Sequence, residues 1–180
     1  MDDRTTELVG ERIRSLRAER AISLSALAAA AGIGKGSLSE LEHGARNPTL
    51  ATLYAVAGAL QVPLSALLAE RVGAEVASDG VSARLLDTRH HDGTTEVYAL
   101  HLDAGAHRRS PGHGPGVVEH LLVTRGAVRA GRTGQEVDVE VGGHTTWVSD
   151  GPHGYDALGG SPADAVLVIR SPAPGAGSPR

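Results

Sequence analysis

The chain has no cysteine and no phenylalanine, and its aromatic residues are one tryptophan and three tyrosines. Without cysteine it cannot form a disulfide scaffold, a cysteine-ligated zinc finger or a thiol nucleophile. It also lacks an apolar run long enough to span a membrane, and its acidic start, MDDRTTE, has no hydrophobic signal-peptide segment. We therefore expect a cytoplasmic protein that does not bind a membrane.

Positive charge is also scarce. The chain carries 17 lysines and arginines against 21 aspartates and glutamates, a formal net charge of -4. Residues 1–70 hold seven basic and eight acidic residues, and the remainder holds ten and thirteen, so neither part is a strongly basic domain that binds nucleic acid through charge alone. Any contact with DNA must then depend on a few well-placed side chains, on helix N-termini and on dimerisation.

The pattern of apolar residues changes along the 180 residues, which are enough for two small domains. Residues 1–70 have apolar residues at helical spacing, and the later part has short alternating runs separated by Gly and Pro. We expect a multidomain α + all-β protein with a helical domain over 1–70, a linker over 71–80 and a β domain over 81–171. Residues 172–180 are rich in Pro, Gly and Ser and are expected to be a disordered tail.

Five helices are predicted in the first domain, over residues 6–20, 23–31, 35–43, 50–60 and 63–68. The second and third helices are short and are joined by the tight turn Gly32-Ile33-Gly34. Gly44 ends the third helix as a left-handed cap would. Such a pair of helices exposes the start of the second one, whose first side chains can then enter a DNA major groove.

This stretch resembles the lambda-repressor-like, Xre-type helix-turn-helix family over about residues 8–69. The family pattern LAxxxGxxxxxLSxxExGxxxPxxxxLxxxAxxL is met by Leu27, Ala28, Gly32, Leu38, Ser39, Glu42, Gly44, Pro48, Leu53, Ala57 and Leu60. The resemblance implies a sequence-specific DNA-binding regulator with residues 35–43 as its recognition helix. It also implies an ion pair between Arg17 and Glu42, because a partly buried guanidinium needs a carboxylate.

The expected DNA contacts lie at or near helix starts, and one lies just after the recognition helix: Ser23, Lys35, Gly36, Ser37, Ser39, Glu40 and Arg46. The helix dipole disfavours a cation at Lys35, so its position is easier to explain if it meets guanine or phosphate. For each of these residues, an ordinary solvated surface is the alternative. One short helix reads only a few base pairs, so we expect a homodimer, joined through the β domain, on a palindromic operator in double-stranded DNA.

Seven strands are predicted in the second domain, over residues 82–88, 96–102, 117–124, 127–132, 136–141, 145–149 and 165–170. Their regular spacing favours a small antiparallel barrel or sandwich. Glu119 falls on the more apolar face of its strand. A carboxylate in such a place needs a cation, a metal or a hydrogen-bond donor, or else it stays protonated.

The spacing of His113, Glu119 and Gly126 resembles the first sequence motif of the cupins, and that of Gly142 and His153 resembles the second. The resemblance implies a double-stranded β-helix. The chain departs from both motifs, since a ligand histidine, a proline, a glycine and an asparagine are replaced by Pro115, Val148, Asp150 and Ala157.

Two interpretations of His113, Glu119 and His153 stay open. They could be a facial triad for one divalent transition metal such as iron, manganese, nickel or zinc. They could instead line a metal-free pocket, bonded to one another or to a small effector. Trp147 and Tyr155 flank His153 and are candidates either for walls of this effector pocket or for core packing.

Together these observations predict a transcriptional regulator whose cupin domain binds a small-molecule effector that modulates DNA binding. No catalytic residue is assigned. The alternative is a metal-dependent cupin oxygenase or epoxidase with an accessory helical domain, and a third possibility is an adaptor whose β domain binds another protein. Metal-dependent turnover would favour the enzyme, and operator binding altered by a metabolite would favour the regulator.

Overall fold

The computed structural model has a helical domain followed by a two-sheet β domain, and it describes residues 3–68 and 71–173. The predicted fold class is therefore confirmed. The predicted tail is described at Pro172 and Ala173, and the rest of it lies outside the described residues.

Five helices are present in the described residues: α1 (Asp3–Glu19), α2 (Leu24–Ala30), α3 (Lys35–Glu42), α4 (Leu50–Leu60) and α5 (Leu64–Leu67). Side-chain caps begin two of them. Ser23 Oγ accepts a hydrogen bond from the Ala26 amide, and Thr49 Oγ1 accepts one from the Thr52 amide, both at 3.1 Å. Gly32 has a φ of 66°, and this left-handed conformation lets the chain turn sharply from α2 towards α3.

The core of the helical domain consists of the apolar stripes of its helices, and α1 packs very closely against the end of α3. A Cβ atom at Gly10 would lie 2.3 Å from the Leu41 carbonyl oxygen, so a larger residue would push the two helices apart. Arg12 of α1 is partly exposed, and its Nε donates to the Ala66 carbonyl oxygen of α5 at 3.1 Å.

The β domain has ten strands within the described residues: β1 (Glu75–Ser78), β2 (Val81–His91), β3 (Gly93–Leu102), β4 (His107–Ser110), β5 (Val118–Arg125), β6 (Ala127–Arg132), β7 (Val137–Glu140), β8 (His144–Val148), β9 (His153–Ala157) and β10 (Ala163–Ser171). They form a six-stranded sheet in the order β1-β2-β3-β10-β5-β8 and a four-stranded sheet in the order β4-β9-β6-β7. Two antiparallel sheets with this strand order form a jelly roll, which is the architecture of the cupins.

Three strands, β1, β4 and β9, were not predicted. Strand β1 lies within the stretch expected to be a linker, where it pairs with β2. Strands β4 and β9 pair with each other and bury polar side chains, among them Arg108, Ser110 and His153. Because aliphatic residues do not alternate along these strands, the period-two pattern that predicts strands is absent from them.

The two domains share a buried boundary, and their buried side chains form one continuous cluster. At this boundary Glu96 of β3 accepts hydrogen bonds from the Ser65 amide at 2.6 Å and from the Tyr98 hydroxyl at 2.8 Å. Burial raises the pKa of Glu96 in spite of these two donors. The start of α5 is thereby attached to the β domain.

Candidate DNA interface and candidate metal centre

The recognition helix α3 presents a small polar surface. Lys35, Gly36 and Glu40 are exposed, and Ser37 and Ser39 are half-buried. After the helix, the Arg46 side chain returns across it, and its Nη1 lies 3.4 Å from Glu40 Oε2 and 3.5 Å from Ser37 Oγ. The structure thus brings Ser37, Glu40 and Arg46 together, and Lys35, Gly36 and Ser39 lie on the same helix. Ser23 is the exception, since its hydroxyl caps α2.

A surface groove of about 250 Å³ lies between α3 and the start of α4. Besides Ser37 and Arg46, it is lined by Asn47, Thr49 and Thr52, which the sequence analysis did not assign to the DNA site. The sequence signal that could have indicated these residues is the polar stretch around the Thr49 cap. Free amides at a helix start favour anions, so the groove is suited to a phosphate of a bound duplex.

Arg17 of α1 and Glu42 of α3 are brought together in a two-pronged contact. Arg17 Nε lies 2.6 Å from Glu42 Oε1, and Arg17 Nη2 lies 2.8 Å from Glu42 Oε2. A third nitrogen, Nη1, donates to the Ile22 carbonyl oxygen at 3.1 Å. The hydrogen bond to Glu42 raises the pKa of Arg17, although burial opposes this. The pair links the first helix to the recognition helix.

In the β domain, three separate segments bring His113, Glu119 and His153 together. His113 comes from the loop after β4, Glu119 from β5 and His153 from the start of β9. The Nε2 atoms of His113 and His153 lie 3.0 and 3.1 Å from Glu119 Oε1. These three atoms are buried, and within the described chain none of them has a partner at hydrogen-bond geometry. They converge on a common point instead.

Neighbouring groups orient these three side chains. His153 Nδ1 lies 3.0 Å from the Gly151 carbonyl oxygen, and donation to that oxygen directs Nε2 into the site. The His113 amide donates to the Ser149 carbonyl oxygen at 2.7 Å. The Tyr155 hydroxyl donates to the other oxygen of Glu119, Oε2. Such outer contacts are typical of metal ligands.

The charges at the site are closely coupled. Burial opposes ionisation of Glu119, but the two adjacent imidazoles outweigh it and lower the pKa of this carboxyl far below its usual value. Burial likewise opposes a charged His153, yet Glu119 raises the pKa of the ring. Burial and Glu119 together raise the pKa of Tyr155, which remains a hydrogen-bond donor. The two neighbouring imidazoles therefore favour the ionised form of the Glu119 carboxyl.

The donor set fits a divalent transition metal. Two imidazole nitrogens and one carboxylate oxygen lie within 4.8 Å of one another, and they belong to the ligand types that iron, nickel or zinc accept. Pro115, which stands where the cupin pattern has a further histidine, is exposed. Among the described residues the group has three members, which leaves coordination positions for water or another ligand.

Aromatic side chains surround this site. The Trp147 ring lies 6.2 Å from that of His153 and 5.8 Å from that of Tyr155, between centroids. Both Trp147 and Tyr155 are buried and pack beside the ligands. Tyr54 of α4 stacks on His113 from the helical domain.

The sequence analysis missed two residues of these surroundings, Tyr54 and Arg108. The Cζ atom of Arg108 lies 5.6 Å from the centroid of the Tyr54 ring. The only sequence signal for Tyr54 is a single aromatic residue in a helix of small aliphatic ones, and Arg108 lies in the unpredicted strand β4.

Known proteins share this layout. A helix-turn-helix family model matches residues 13–67. The HTH-type transcriptional regulator SutR of Escherichia coli K12 is 29% identical over 148 residues, which cover 79% of this chain and 83% of SutR. The uncharacterized HTH-type transcriptional regulator y4dJ of Sinorhizobium fredii is 43% identical over 56 residues, which cover 31% of this chain and 73% of y4dJ. The crystal structure of an HTH_3 family transcriptional regulator from Vibrio cholerae has a TM-score of 0.86 and 27% identity, with coverage of 96% and 99%.

The fold is a helix-turn-helix domain followed by a jelly-roll barrel. The chain belongs to the helix-turn-helix family of transcriptional regulators, in the Xre-type branch, and its second domain has the jelly-roll fold of the cupins. Its relatives are named as regulators, which supports a regulator and not the alternative enzyme. No helix in the described parts of the chain is long and apolar enough to cross a membrane.

Proposed function

We propose that this regulator responds to a ligand. Helix α3 reads an operator, and the β domain binds one divalent transition metal, alone or with a small effector, through His113, Glu119 and His153. The observation that carries the proposal is the convergence of three buried ligand atoms that have no hydrogen-bond partner in the described chain. A bound metal would supply a concentrated positive charge that accepts a donor atom of an effector.

The DNA site has a division of roles. Lys35 and Glu40 are exposed on α3 and are proposed to contact base edges, with Lys35 on guanine or phosphate and Glu40 on cytosine N4. Arg46, with the polar groups of Ser23, Ser37 and Ser39 and the backbone at Gly36, is proposed to contact phosphates. Because few cations take part, the dependence of operator affinity on salt should be shallow.

A homodimer on a palindromic operator completes the proposal, and operator binding would place its action in the cytoplasm. The outer face of the six-stranded sheet offers a dimer surface. Cross-strand registers put Leu122, Val166 and Ala99 in one row and Val168 beside Val97 in the next. Leu122 is 44% exposed. A twofold axis would pair this aliphatic patch with itself and hold two recognition helices for half-sites about one turn, or 34 Å, apart.

The test is operator binding by the full chain. An operator is selected from random duplexes, and affinities are measured by fluorescence anisotropy with nickel and with a chelator. Lys35→Ala should weaken operator binding by about tenfold and leave random duplex nearly unchanged, because a base contact is worth about 1–3 kcal/mol. Arg129→Ala removes the same charge from an exposed position on strand β6 of the other sheet, away from the proposed dimer patch, and is the matched control.

Two results would count against this function. If Lys35→Ala loses affinity equally for the operator and for random duplex, α3 does not read bases through Lys35. If the metal binds but the operator affinity is the same with and without it, the metal does not regulate DNA binding.

A further inference from the structure

One aromatic ring of the DNA-binding domain lies directly on a proposed metal ligand. The rings of Tyr54, in α4, and His113 are stacked, with centroids 4.3 Å apart and planes 27° from parallel. The same His113 ring directs its Nε2 towards Glu119. The domain boundary and the proposed metal site therefore share one imidazole.

A second side chain of the β domain also contacts this tyrosine. The Arg108 guanidinium lies over the Tyr54 ring, with 5.6 Å between Cζ and the ring centroid. Arg108 is buried, and a desolvated cation over an aromatic face is attracted more strongly than an exposed one. Tyr54 is thus held by two β-domain residues, one in β4 and one in the loop that follows it.

Little free space remains beside this contact. The crevice lined by Tyr54, Gly58, Glu96 and His113 has a volume of about 20 Å³, which is room for about one water molecule. A Cβ atom at Gly58 would lie 3.8 Å from the Gly112 carbonyl oxygen, so α4 rests on the loop that carries His113. A larger ligand that enters beside His113 has to move the Tyr54 ring.

A change at Tyr54 has a short path to the DNA site. Leu50, Leu53 and Ala57 of α4 are buried in the core of the helical domain, where α4 packs on α2 and α5. Thr49 and Thr52, at the start of α4, line the groove beside α3. Close-packed helices transmit displacements because they cannot be compressed.

We propose that Tyr54 couples the His113–Glu119–His153 site to the DNA-binding domain through its stack on His113. The inference rests on the proposed function and names its route of regulation. A metal on His113 Nε2 makes the imidazole more positive and restricts its rotation, which strengthens its attraction to the Tyr54 ring. Metal binding therefore protects the α4 amides from hydrogen exchange. An effector that displaces the Tyr54 ring removes this protection.

Hydrogen exchange of the full chain with and without nickel tests the coupling. In the wild type, saturation with nickel slows exchange of the α4 amides by about fivefold or more, a typical size for coupling between sites. In Tyr54→Leu, nickel slows exchange in β9, beside His153, but not in α4. Tyr54→Phe keeps the ring and the response. Leu53→Ala loosens the core packing of α4 without removing the stack, so its exchange is faster overall and still slowed by nickel.

The proposal is overturned if α4 of Tyr54→Leu responds to nickel as the wild type does. It is also overturned if the wild type binds about one nickel ion per chain, by calorimetry, with no change in α4 exchange. A wild type that binds no nickel, zinc or iron refutes the metal site itself, and the coupling is then decided without metal. Without metal, the coupling predicts that His113→Ala and Tyr54→Leu each speed α4 exchange by a similar factor, and that the double variant speeds it by no more than either single variant. A double variant whose factor equals the product of the two single factors would refute the coupling.

Discussion

The guanidinium of Arg17 holds the carboxylate of Glu42 through two parallel contacts of 2.6 and 2.8 Å. Only 3% of the Glu42 side chain is exposed, against 19% for Arg17. A planar guanidinium matches a carboxylate in this geometry, and lysine does not. The orientation of the recognition helix relative to α1 therefore depends on a charge pair as well as on apolar packing.

Arg17→Ala should lower the free energy of unfolding by about 2–4 kcal/mol, because Glu42 would remain buried without its cation. Thermal and urea unfolding of the full chain measure this. Arg14→Ala, an exposed arginine on the same helix, is the control and should change stability by less than about 0.5 kcal/mol. An unchanged melting temperature for Arg17→Ala would show that the pair has no structural role.

Gly10 and Gly36 form a matched pair of glycines within helices. At Gly10 a Cβ would meet the Leu41 carbonyl oxygen at 2.3 Å, and at Gly36 nothing lies within 4 Å. Gly10→Ala should destabilise the protein by about 1–3 kcal/mol through overpacking. Gly36→Ala should stabilise it by about 0.5–1 kcal/mol through helix propensity. A Gly10→Ala variant as stable as the wild type would contradict the close approach of α1 and α3.

Metal content tests the proposed ligand set. The wild type, loaded with zinc or nickel and dialysed, should retain about one ion per chain by elemental analysis. Glu119→Gln and His153→Ala should lose it, and Tyr155→Phe should weaken affinity by about tenfold or more because the tyrosine orients the carboxylate. His120→Ala is the control, since that ring contacts Thr146. Negligible metal in the wild type would leave the metal-free pocket as the better interpretation.

The dependence of stability on pH should carry a small contribution from His101. Its Nδ1 lies 2.6 Å from Asp164 Oδ1, and this hydrogen bond raises the pKa of His101 above 6.5, although burial opposes the shift. A raised histidine pKa stabilises the fold below pH 6.5, and this stabilisation is lost as the pH rises through the folded-state pKa. The side chain is 42% exposed, so the effect should stay below about 0.5 kcal/mol.

The variant His101→Gln tests this contribution. Its melting temperature should fall less than that of the wild type between pH 6 and pH 8. Parallel pH profiles for the two proteins would show that His101 contributes nothing to this dependence.

The sequence by itself determined the helical domain and its helix-turn-helix, since helical spacing, caps at Ser23 and Thr49 and the turn at Gly32 are local signals. It also determined most strands of the barrel, wherever apolar residues alternate. Strands β4 and β9 were not predicted because they bury polar side chains, and their place depends on pairing with each other and, for β9, with β6.

Only the tertiary structure decided what the second site contains. The motif spacing indicated His113, Glu119 and His153, but their convergence required three segments to meet in the barrel. Tyr54 and Arg108 carried no comparable signal, because Tyr54 is far from His113 in sequence and belongs to the other domain. Local patterns record which face of an element is apolar. Contacts between domains depend on how the finished elements pack, so the contact between the proposed metal site and the helical domain appears only in the folded chain.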